Sequence, residues 1–313
     1  MMTPSELTAF VKQEALNLGF SACGITQALS VPDHEQKLFH DWLAQGRQGE
    51  MTYLERNQGK RMDPRELVPG AKSLIVVTLN YANKGNRPSS GIARYACRPD
   101  YHPLIRERLR TLLERIKETG QPLQGRAFSD SAPLFERFWA QQAGLGWIGK
   151  NRLLIRPGVG SWFLLGVLIT DLELLPDSPQ ANRCGHCRQC LDACPGKALD
   201  EVSGLDPRRC IAYLTIEKHR PFNADETSIC AAGQWLYGCD SCQEVCPWNR
   251  FSQPSDDPSF PLLQELEALK PSELMDMTPS TFATLTAGTA LERTGLTALQ
   301  RNYQALNKAP TRP

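Results

Sequence analysis

The stretch CGHCRQCLDACP, residues 184–195, carries four cysteines spaced by two, two and three residues and closed by a proline. In bacterial ferredoxins this spacing gives three thiolates to one 4Fe–4S cluster, while the fourth, just before the proline, crosses to a second cluster. Downstream, CDSCQEVCP (239–247) repeats the latter part of that run, but Leu236 stands where its first cysteine would be. One ligand must therefore come from elsewhere, and either Cys210 or Cys230 supplies it. The crossing rule then assigns Cys184, Cys187, Cys190 and Cys246 to one cluster. Cys194, Cys239, Cys242 and one of that pair hold the other. Four-cysteine zinc sites do not require three closely spaced thiolates followed by a fourth ahead of proline.

Around this segment the chain has an ordinary globular composition: 313 residues, 41% hydrophobic and 22% charged. Thirty-five Lys plus Arg against thirty-four Asp plus Glu leave a formal charge of +1, so no global field draws it to nucleic acid or membrane. A polyanionic partner needs a local patch. Residues 1–6 carry no export signal, which sets the expectation of a cytoplasmic protein. The longest apolar run, 162–169, is far shorter than the roughly 20 residues that cross a bilayer. Eleven cysteines in a reducing compartment point to metal or cluster ligation rather than disulfides. Of those outside the runs, Cys23 reads as a small buried hydrophobe. Cys97, beside Arg94, Arg98 and Asp100, reads either as incidental or as a reactive thiol near a cofactor.

The periodicity divides the chain into three parts. Residues 1–176 mix helices and strands: a capping box at Thr3-Pro4-Ser5-Glu6 opens a helix that Gly19 stops, 73–81 and 162–172 read as strands, and 103–119 and 134–143 as helices. Linker chemistry at 176–179 introduces the cysteine-rich module, 177–251. A helical C-terminal segment, 252–313, shows helical patterns around 261–269 and 289–306. The fold class is thus α+β, with a ferredoxin-like module in the middle.

Three local patterns invite other readings. Residues 144–151 (GLGWIGKN) match G-x-G-x-x-G and most of the P-loop pattern, but a helix precedes the stretch and a strand-like segment, 152–155, follows it, the reverse of a phosphate loop. Asp100-Tyr101-His102 begins like D-x-H-x-x-G, a cobalt-ligating motif, yet Ile105 occupies the glycine position, so His102 reads as structural. Asp130-Ser131-Ala132-Pro133 reads as a helix cap, although a carboxyl at a strand-to-helix turn is also well placed for acid catalysis.

Taken together, MTYL (51–54), Asn57, KRMDPR (60–65), VPGAKS (68–73), DYH (100–102), DSAP (130–133), GWIGKN (146–151), CIAYLTIE (210–217) and the cysteine runs resemble the epoxyqueuosine reductase family. The resemblance implies Cys210 as the eighth ligand and a nitroreductase-like α/β domain that binds cobalamin, its own base off the cobalt. It implies Asp130 as proton donor and Tyr53, Cys97, Asp130, Lys150, Asn151 and Asp240 as cobalamin contacts. The implied reaction takes epoxyqueuosine to queuosine at the wobble position of tRNAs with a GUN anticodon. An external low-potential donor feeds the electrons through two 4Fe–4S clusters.

For the tRNA phosphates, Lys218, His219 and Arg220 are the first candidates, with Arg208 and Arg209 next. Many relatives carry HEAT-like repeats after the core, whereas here LERTGL (291–296) looks like the start of that region and the chain stops at Pro313: a short form, expected to act as a monomer away from membranes. Two other readings stand beside this one: a corrinoid reductive dehalogenase and a plain electron-transfer ferredoxin.

Overall fold

The computed structural model describes residues 2–83, 85 and 87–308; Met1, Lys84, Asn86 and residues 309–313 of the expected C-terminal segment lie outside the description. Helix α1 (Pro4–Asn17) starts on the expected capping box: the Thr3 hydroxyl accepts from the Glu6 amide, and the Glu6 carboxylate accepts from the Thr3 amide. Gly19, at φ +86°, turns the chain into β1 (Ala22–Gln27). Then come α2 (Asp33–Ala44), α3 (Gln58–Met62), β2 (Ser73–Asn80), α4 (Tyr101–Lys117), β3 (Gly125–Phe128), α5 (Glu136–Gln142), β4 (Trp147–Ile148), β5 (Leu154–Ile155) and β6 (Phe163–Thr170).

Strands β1, β2, β6 and β3 form one antiparallel sheet in the order β1-β2-β6-β3. The unbroken apolar run of β2 follows from its place inside that sheet. Ile75, Val77 and Leu79 pack with α1 and α4 on one face, while Leu74 and Val76 pack with Phe128, Trp139 and Val167 on the other. The turn at 144–151 contains no phosphate loop. Gly146, at φ +154°, lies where a Cβ would meet the Ile155 carbonyl oxygen at 2.1 Å, and the chain folds back as the β4–β5 hairpin.

The module comprises α6 (Gln189–Asp192), β7 (Leu199–Asp200), β8 (Gly204–Leu205), α7 (Ile211–Ile216), α8 (Ala224–Gly233) and α9 (Ser241–Glu244). Helices α6 and α9 are the corresponding turns of the two cysteine runs and pack together. The stretch read as a linker is strapped down: the Asp177 carboxylate takes the Ile25 amide at 2.8 Å and Lys12 Nζ at 2.6 Å. The last part holds α10 (Gln264–Glu267), α11 (Pro279–Thr286) and α12 (Leu296–Leu306). Its core is shared with the other two parts, because Leu266, Leu274, Leu291 and Leu299 cluster with Ile92, Cys97, Leu236 and Tyr237. Bridges Ile92–Tyr237 and Pro99–Thr289 tie the same three regions through the backbone.

Three expectations change in detail. Helix α5 begins at Glu136, so Asp130 does not cap it. The 261–269 pattern shrinks to the single turn of α10, and the 289–306 pattern begins only after Gly295 at φ +77°. Strand β1, helix α2 and α11 were not anticipated; α2 buries no residue and so leaves little hydrophobic period to read.

Candidate cluster and catalytic site

Cys184, Cys187, Cys190 and Cys246 line one cavity of about 230 Å³, together with Lys150, Asn151 and Trp248. Burial, then the neighbouring Cys246, Cys184 and Cys187, pushes the Cys190 thiol up to about 11. Trp147, on the hairpin, donates its indole N–H to Cys184 Sγ at 3.4 Å. Cys242 is raised well above the usual thiol value by burial and by Cys239, Cys210 and Cys194, which marks the second group of four. Cys230 is not among them: it is fully buried with Ile211, Leu214 and Trp235, and the charges reaching it come from Arg301 and Glu226. Of the pair left open by the spacing, Cys210 is the one that lies by the second group of thiols. Among the described residues no group of three or more His, Cys, Asp or Glu side chains is set to clasp a single metal ion. The first four sulfurs ring a cavity instead, as cluster ligands do.

Asp130 stands exposed just past the end of β3, at φ +47°. Asp adopts this left-handed conformation more readily than most residues. Three hydrogen bonds fix the loop. Ser129 Oγ donates to the Leu165 carbonyl at 2.9 Å, the Asp130 amide donates to Glu136 Oε1 at 2.7 Å, and the Tyr101 hydroxyl donates to Asp130 Oδ2 at 2.5 Å. Burial, then the Asp130 charge, raises Glu136 well above the usual carboxyl range. Tyr53 is pushed up to about 12 by burial and by Glu217 and Asp130, with Arg61 and Arg293 opposing. Glu217 is raised by burial, against Arg293 and His219. The groups that interact around Asp130 therefore come from all three parts: Tyr53, Tyr101 and Asp130 from the first, Glu217 from the end of α7, and Arg293 from the C-terminal segment. Tyr101 and Arg293 lie within the quoted DYH and LERTGL stretches, but nothing in the sequence marks Glu136, six residues after Asp130, as its backbone partner.

The remaining candidates scatter. Lys150 bonds to the Gly185 carbonyl at 2.9 Å and to Glu201 at 2.7 Å, on the rim of the first thiol group. Asn151 Oδ1 accepts the Leu153 amide, while its buried Nδ2 has no partner among the described residues. Cys97 is wholly buried in the shared core, and that burial pushes its thiol up to about 12, which disfavours the thiolate. Asp240 is also buried; it accepts the Arg94 amide at 2.8 Å, and burial lifts it to about 7 against the pull of Arg94. His102, buried, engages Asp100 through Nδ1 at 2.5 Å, a structural role.

The basic stretch is partly neutralised. Lys218 pairs with Glu50 at 3.4 Å and Glu226 at 3.2 Å and is only 14% exposed. The His219 amide and Arg220 Nε also bond Glu50, and Arg220 stays 78% exposed. Arg208 pairs with Asp206, and Arg209 with Asp225.

Two sequence families match the chain: "4Fe-4S double cluster binding domain" over residues 183–249 and "Epoxyqueuosine reductase QueG, DUF1730" over residues 61–131. Epoxyqueuosine reductase of Cyclobacterium marinum is 43% identical over 265 residues, covering 83% of this chain and 84% of that protein. A solved epoxyqueuosine reductase with an epoxyqueuosine-modified tRNA-Tyr stem-loop superposes with a TM-score of 0.87 at 28% identity, over 97% of this chain and 81% of that one. A reductive dehalogenase, described for B12-dependent dehalogenation, shares only the fold: TM-score 0.52, 18% identity, 97% of this chain and 38% of that one. The dehalogenase reading thus gives way, as does that of a plain ferredoxin, and the chain belongs to the epoxyqueuosine reductase family of oxidoreductases.

Proposed function

We propose that this chain reduces epoxyqueuosine to queuosine at the wobble position of tRNAs with a GUN anticodon, with cobalamin and two 4Fe–4S clusters as resident cofactors. The observation that carries the reading is an exposed, hydrogen-bonded Asp130 in a chain that also gathers one group of thiols around a cavity and a second group of buried thiols. Opening the epoxide to the cyclopentene takes two electrons and two protons and releases the oxygen as water. When bound, the clusters relay single electrons from an external low-potential donor, and cobalamin supplies a reduced metal centre for the carbon–oxygen bond.

The chain's own residues supply the rest. Asp130 gives a proton to the departing oxygen, which would otherwise leave as a poor alkoxide; a well-placed general acid contributes roughly 10²–10⁴-fold. The donors fit a large cofactor edged with amide carbonyls, since Asn151 Nδ2 and Arg61 Nε are buried without partners among the described residues. Tyr53, Lys150 and Asn151 would border it. Asp240 and Cys97 would act from behind, Asp240 by holding the Arg94 amide and Cys97 by filling the shared core.

The wobble base lies in a single-stranded loop whose bases can be splayed into a pocket. Arg220 and His219 would meet its phosphates, with Lys218 anchoring them from inside. No described helix is long and apolar enough to cross a membrane; a reducing cytoplasm suits the eight thiolates, and a monomer completes the reading. The test is to incubate the anaerobically reconstituted protein with cobalamin, a low-potential reductant and epoxyqueuosine tRNA, then analyse nucleosides by mass spectrometry. Queuosine is expected, and a product that keeps the epoxide oxygen rejects the function.

A further inference from the structure

We propose that Tyr101 and Glu136 are positioning residues that latch the Asp130 loop closed, one gripping its side chain and the other its backbone, so that a single carboxyl oxygen faces the substrate. The inference rests on the reading of Asp130 as proton donor and extends it to two residues that act through Asp130.

The need for a latch comes from the loop itself. Asp130 is exposed and in the left-handed region, which Asp enters more readily than most residues but still not as its preferred conformation. Left alone, such a loop would sample other shapes and carry the carboxyl away.

Tyr101 is well built to grip it. It is buried in the first turn of α4, whose start is fixed by Asp100 Oδ1 accepting the His102 amide at 3.0 Å. Its ring stacks on His102 at 4.0 Å between centroids and meets Tyr95 edge-on at 6.2 Å. The hydroxyl therefore has one fixed position, and it occupies Asp130 Oδ2. Among the described residues Oδ1 has no hydrogen-bond partner, which leaves that oxygen to hold and deliver the proton.

Glu136 grips the backbone. It opens α5, is buried, and accepts the Asp130 amide through Oε1. A buried carboxyl favours its neutral form, which still accepts through its carbonyl oxygen and does not repel the Asp130 carboxylate. The latch thus needs an acceptor at position 136, not a charge. Glutamine should serve there, and leucine, close in size, should not.

The experiment uses the reconstituted holoenzyme and an epoxyqueuosine stem-loop, with iron content and cobalamin absorbance measured for every variant. Tyr101→Phe and Glu136→Leu should lower kcat by about ten- to a hundredfold, the factor associated with losing one hydrogen bond to a charged or buried polar group, with KM for the stem-loop unchanged. Glu136→Gln should stay within about threefold of wild type, since it keeps the acceptor. Hydrogen exchange at the amides of residues 129–131 should speed up in Tyr101→Phe and Glu136→Leu but not in Glu136→Gln. A Tyr101→Phe variant with wild-type kcat and exchange, or a Glu136→Gln variant as impaired as Glu136→Leu, overturns the latch. If Glu136→Leu loses iron, Tyr101→Phe and Glu136→Gln decide. Wild-type protein without turnover rejects the proposed function instead, while the exchange measurement still judges the latch.

Discussion

Asp130 combines an exposed carboxyl with a backbone that few residues accept, so the informative substitution is the one that keeps the backbone. Asn tolerates the left-handed region as Asp does, and its amide oxygen still accepts from Tyr101. Asp130→Asn should therefore fold, keep its iron and lose roughly 10²–10⁴-fold in turnover. Turnover within about twofold of wild type removes Asp130 from the acid role. The cysteines give a second prediction of this kind. Cys210→Ser should lower bound iron from about eight to about four atoms per chain, because it breaks one group of four; Cys230→Ser should leave iron unchanged, since Cys230 is a fully buried core side chain packed with Trp235 and Ile211. Equal iron in the two variants contradicts the ligand assignment. At this scale spacing alone singles out seven candidate cluster ligands. It leaves the eighth open, because Cys210 lies outside any run, at the turn that leads into α7. Glu136 was invisible for a similar reason: a side chain accepting a backbone amide leaves no pattern in the residue types.

The hairpin β4–β5 shows what a glycine-rich element does when it is not a phosphate loop. Gly146 lets the backbone pass against the Ile155 carbonyl, and the strand it starts carries Trp147, whose indole N–H meets Cys184. Gly146→Ala combines a strained φ with a 2.1 Å clash against backbone, so it should cost about 3 kcal/mol or more and speed iron loss from the first group to a chelator. Gly158→Ala is the control. Its φ is +73° but nothing lies within 4 Å of an added Cβ, so only backbone strain remains, about 1 kcal/mol. Thermal unfolding separates the two, and equal losses would mean that the close approach does not matter. The elements that were legible are those with strong local grammar: the capping box of α1, the apolar run of β2, the amphipathic α4. The 289–306 pattern was overextended, because residues 288–294 bury Leu291 in the shared core from a turn rather than from a helix.

Across the whole molecule, a formal charge of +1 means that tRNA must be gripped by few phosphate contacts rather than by a general field. The basic stretch after α7 sharpens this, because Glu50 lies beneath it and ties Lys218, the His219 amide and Arg220 together. This arrangement leaves no signal along the chain, since Glu50 and Arg220 lie 170 residues apart in sequence. The pairing divides the roles of two neighbouring cations. Among the described residues Arg220 bonds Glu50 through Nε only, and it stays 78% exposed, so its remaining donors can meet a phosphate. Lys218 is held between Glu50 and Glu226 at 14% exposure and has little charge left to offer. Arg220→Ala should therefore weaken stem-loop binding several-fold and flatten the dependence of log Kd on log salt by about 0.7–0.9, the release expected for one phosphate contact. Lys218→Ala should leave that slope unchanged and lower the unfolding midpoint, because it removes the cation shared by Glu50 and Glu226 at a largely buried position. Titrating both variants between low and physiological salt checks the division. A slope that changes with Lys218 and not with Arg220 would reverse it and place the phosphate contact beneath the surface residues rather than on them.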